Sequence, residues 1–95
     1  MPDRLLELEH DTYRTGQAFH GALKDYYATL NRHGAPEEIS QLVQQCREAG
    51  TKYGDSLEKL LEHLLAITQT DQRDKINRTV KLIKLLRAEL GYLPA

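Results

Sequence analysis

The sequence predicts an all-α protein, an antiparallel three-helix bundle built on a long helical hairpin, and two observations carry that prediction. Nine residues, Ile39, Val43, Cys46, Gly50, Tyr53, Leu57, Leu60, Leu64 and Ile67, recur at alternating steps of four and three without a break. A heptad rhythm of that length places its members on one stripe of a helix and asks for other helices to cover it. The second observation is punctuation: Gly34 and Pro36 separate this stripe from an earlier helical pattern, and Thr68 to Asp71 separate it from a later one.

The first helix is expected over about residues 3–31, with Asp3 as its cap. Its stripe is Leu5, Leu8, Thr12, Thr15 or Gly16, Phe19, Ala22 and Leu23, Tyr26 and Leu30, rich at both ends and weak in the middle. Gly34 suits the left-handed position that ends a helix, and Pro36, Glu37 and Glu38 suit the first turn of the next. So short a connection makes the two helices antiparallel neighbours, with facing positions summing to about 68.

The second helix is expected over about 36–69. Gly50 and Gly54 sit in its middle and cost about 2 kcal/mol relative to alanine, and Asp55 with Glu58 reads as a capping box. A break there would give a four-helix bundle; the unbroken phase favours one long helix, with both glycines facing small residues of the first. The last helix is expected over about 72–90, capped by Thr70 or Asp71 and stopped by Gly91 and Pro94.

The 95 residues fit one domain that folds without metal or disulfide. A net charge of -1 supplies no global field for nucleic acid or anionic lipid. The single cysteine excludes an internal disulfide, no apolar run is long enough to span a bilayer, and the first residues lack a signal-peptide pattern, so a cytoplasmic protein without membrane insertion is expected. Glu7 and His10 have di-metal spacing but lack the partner carboxylates and second histidine such a site needs. No nucleophile triad or phosphate loop can be assembled. The chain reads as non-enzymatic, with no cofactor.

Function is therefore sought in surfaces. Counted from residue 71, the last helix is too short to cover the turn end of the hairpin. That leaves Ala22, Tyr26, Tyr27, Leu30, Ile39, Leu42, Val43 and Cys46 as an apolar interface for a second copy, in a protein-interaction module such as an adaptor, chaperone or inhibitor. Leu6, Tyr13, His20 and Tyr27, spaced by seven, form a second line beside the core of the first helix. From Asp71 onward six bases meet three acids, and Arg73, Arg78, Lys81 and Lys84 are the candidate basic face. A nucleic-acid-associated regulator using that face is the alternative, although the helix lacks interleaved aromatic residues to stack on bases.

Overall fold

The computed structural model describes residues 4–67 and 72–94. Three helices account for most of them: α1 over Arg4–Asn31, α2 over Pro36–Ala66 and α3 over Arg73–Tyr92. The fold is an antiparallel three-helix bundle in which α2 is central. α1 packs along it on one side and α3 on the other, while α1 and α3 approach each other only loosely. The capping roles expected of Asp3, Thr70 and Asp71 lie outside the described residues.

The register of the hairpin follows the predicted sum. Thr12 Oγ1 donates to Ser56 O at 3.4 Å, and the ring of Tyr53 lies against Gly16. The turn is built differently from expectation. His33, at φ 56°, takes the left-handed position, and Gly34 does not. The amides of Gly34 and His33 donate to Thr29 O and Leu30 O at 2.9 and 3.1 Å, the two bonds that close a helix by a Schellman motif. Gly34 is needed for space: a Cβ there would lie 2.4 Å from Thr29 Cγ2 and 2.8 Å from Glu38 Oε1. Arg32 reaches across the turn to Glu38 at 2.6 Å.

α2 runs through Gly50 and Gly54 without a break, so the four-helix alternative does not occur. The glycines, however, serve α3 more than α1. A Cβ on Gly50 would meet Leu90 Cδ2 at 2.7 Å and the Phe19 ring at 3.2 Å, and one on Gly54 would meet Leu86 at 3.4 Å. The two bare positions let the α3 leucines seat against the α2 backbone, and that close packing offsets the poor helix propensity.

The buried residues form two clusters. The larger joins all three helices through Phe19, Leu23, Tyr26, Cys46, Tyr53, Leu57, Leu86 and Leu93. The smaller, at the other end, is Leu8, Leu60 and Leu64 with Leu5 and Ile76 beside it. Leu93, beyond the expected end of the last helix, is a core residue. The tail it belongs to is fixed by the Arg47 guanidinium, which donates to the Pro94 carbonyl. α3 therefore reaches further toward the turn than expected, and it closes over Tyr26 and Cys46, which are 5% and 0% exposed.

Candidate functional site: a groove between the outer helices

The seam between α1 and α3 opens into a groove of about 390 Å³. Its origin is the weak middle of the α1 stripe. Thr12 and Thr79 face this seam, and each hydroxyl bonds back to its own helix, to Leu8 O at 2.8 Å and Lys75 O at 2.7 Å. Back-bonded threonines are short and satisfied, so neither reaches across to fill the space between the helices. The core divides into its two clusters at this level. Leu60 and Leu64 of the small cluster and Tyr53 and Leu82 of the large one contribute the apolar surface.

Tyr53 lies on the groove floor and is 6% exposed, yet its hydroxyl makes no hydrogen bond to the described protein. Burial pushes its phenol above the usual value, because the phenolate would lose its hydration. The ring is held by His20 edge-on at 6.1 Å, by Phe19 at 6.0 Å, and by the absence of a side chain on Gly16, where a Cβ would sit 3.0 Å from Tyr53 Cε1.

The rim carries the polar groups. Lys75 Nζ of α3 donates to Glu9 Oε1 of α1 at 2.9 Å, bridging the helices at one end. Further along, Gln17 Nε2 donates to the Tyr13 hydroxyl at 2.8 Å. Arg78 lines the α3 side and makes no ion pair with any described residue. Past the groove, Tyr27 lies near Glu89; partial desolvation and then the Glu89 carboxylate raise its phenol above the usual value. The seven-spaced line on α1 is thus an edge of this seam, with Tyr13 and His20 on the groove itself.

The eight residues proposed for the turn-end interface separate into three environments. Tyr26 and Cys46 are buried within the chain, in one cluster with Leu86 and Leu93; this corrects the expected exposure of Tyr26 and agrees with the burial that the stripe position of Cys46 implies. Ala22, Ile39, Leu42 and Val43 are half-buried against the large cluster. Tyr27 and Leu30 remain 43% and 37% exposed. Burial pushes the Cys46 thiol above its ordinary value, and the Asp25 carboxylate adds to this.

Arg73, Arg78, Lys81 and Lys84 are all exposed. They do not act as one face. Steps of three drift by about 60° on an α-helix, which carries Arg78 to the groove and leaves Lys81, Lys84 and Arg73 on the outer side. The only ion pair between α3 and another described helix is Lys75 to Glu9; Glu58 and Glu62 form none. Among the described residues, no three His, Cys, Asp or Glu side chains gather to hold a metal, and no helix is long and apolar enough to cross a membrane.

No family model, curated protein or solved structure matches this chain. Its reading rests on its own geometry.

The groove itself is what sequence reasoning missed. The threonines were visible as a weakness in the stripe, but a weak stripe reads equally as loose packing. That Tyr53, a regular heptad member, would end with a free hydroxyl beneath a gap depends on which helix faces it. Periodicity within one helix does not carry that information.

Proposed function

We propose that this protein is a non-enzymatic helical interaction module that pairs with a second copy of itself through the turn end of the α1–α2 hairpin, and acts as an adaptor, chaperone or inhibitor of a protein partner. The observation that carries this reading is the length mismatch between hairpin and α3. The α3 tail ends beside Arg47, and the stretch of α2 from Pro36 to that point has no third helix over it. At this end Tyr27 and Leu30 of α1 are exposed, and Ile39, Leu42 and Val43 of α2 are half-buried against the large cluster.

Molecular shape supports the same reading. The chain is a rod of 50 × 25 × 17 Å with 6855 Å² of accessible surface. A compact monomer of its 10.9 kDa exposes about 5,600 Å². The excess, roughly 1,300 Å², reflects the elongated shape, which leaves long helix faces in solvent.

Light scattering on a size-exclusion column, across a range of concentrations, tests the dimer. Twice the chain mass is expected for the native protein, and the monomer mass for Leu30→Asp and Tyr27→Asp. These two side chains are exposed, so their variants keep the fold. Lys81→Glu should leave the mass unchanged. A native protein that stays monomeric at every concentration overturns the self-pairing. If steep loss of a nucleic-acid complex with salt is seen, and is relieved by Lys81→Glu, the outer side of α3 is the functional surface instead.

A further inference from the structure

We propose that the groove between α1 and α3 is a binding site for a small amphipathic anion, a molecule with an apolar body and a carboxylate or sulfonate head. The site is separate from the turn-end surface and does not depend on dimerisation.

Three features of the groove converge on that chemistry. Its volume, about 390 Å³, falls within the range of roughly 300–1,000 Å³ typical of small-molecule sites. Its floor is apolar, formed by Leu60, Leu64, Leu82 and the Tyr53 ring, so it favours a hydrocarbon or aromatic body. Its rim carries polar and charged groups of both outer helices. The hydroxyls of Thr12 and Thr79 are already committed to backbone carbonyls, and the Tyr13 oxygen already accepts from Gln17. The Tyr53 O–H, the Tyr13 O–H and the guanidinium of Arg78 remain free to donate, beside the His20 ring and Gln17 Oε1.

Charge points the same way. Glu9 is the one carboxylate on the lining, and Lys75 neutralises it. Arg78 is left as an uncompensated positive charge beside an apolar cleft. A guanidinium in such a place holds a carboxylate through paired, charge-assisted hydrogen bonds. The Tyr53 hydroxyl opens onto the groove and has no hydrogen-bond partner among the described residues, so it is free to donate to a ligand. An acceptor-bearing head group suits either donor.

The test uses decanoate and decylamine as probes, which share a hydrocarbon chain and differ in the sign of the head. Binding is followed by amide NMR shifts on the full chain. Saturable one-to-one binding of decanoate is expected, with shifts centred on Gly16, His20, Tyr53 and Arg78 and little response to decylamine. Arg78→Gln should weaken decanoate binding about tenfold, Arg78→Lys should recover part of the loss, and Lys84→Gln, which removes an equal charge outside the groove, should have no effect. Tyr53→Phe should weaken binding severalfold while the chain stays folded. Equal binding of both probes, shifts spread over the whole chain, no binding of either, or equal losses in Arg78→Gln and Lys84→Gln would each overturn the assignment.

Discussion

At the scale of single residues, the turn shows how position and need can be divided between neighbours. The sequence places a glycine where a helix ends, and the usual reason is a left-handed backbone. Here the left-handed residue is His33, whose Cβ makes that conformation unfavourable, while Gly34 avoids contact with Thr29 and Glu38. The two substitutions therefore have opposite signs. His33→Gly is expected to raise stability by about 0.5–1 kcal/mol, and Gly34→Ala to lower it by about 1–3 kcal/mol through overpacking. Urea denaturation of both variants checks this. If His33→Gly is the destabilising change, the Schellman geometry at the end of α1 is misassigned.

At the scale of the helices, the regular features were legible and the contextual ones were not. The phase from Ile39 to Ile67 favoured α2 as one helix over a break at Gly50, because a loop there would usually shift the heptad register, and α2 is continuous. The end of α3 was not legible. Gly91 and Pro94 signal termination, yet nothing local tells whether Leu93 turns inward. It does turn inward, into the cluster of Tyr26 and Cys46, beside the contact of the Arg47 guanidinium with the Pro94 carbonyl. Leu93→Ala should cost about 2–3 kcal/mol. It should also speed the reaction of Cys46 with a thiol reagent, which the native chain resists because Sγ is buried and its thiol is held protonated. Unchanged thiol reactivity in that variant would mean that something other than the tail protects Cys46.

For the molecule as a whole, the same three helices make a bundle that is tight around α2 and loose between its outer members. That looseness was half visible. Thr12, Thr15 and Gly16 marked a poor stretch in the α1 stripe, and it became a groove only because Thr79 of α3 stands opposite with its hydroxyl turned to its own backbone. Two threonines, in helices far apart in sequence, line that one space.

The division of the core into two clusters has a dynamic consequence. Leu8, Leu60 and Leu64, with Leu5 and Ile76, are a small apolar group set apart from the larger cluster, so this end is expected to open without global unfolding, as a cooperative unit of its own. Native-state hydrogen exchange should find the amides of α1 before Thr12 and of α3 before Thr79 exchanging through an opening of lower free energy than those around Phe19 and Leu57. Uniform protection along all three helices would show that the rod unfolds as one piece. A molecule seated in the groove would touch both clusters at once, and would bind the state in which the loose end is closed. Occupancy would then be read far from the groove, as slower opening at the free end of the rod.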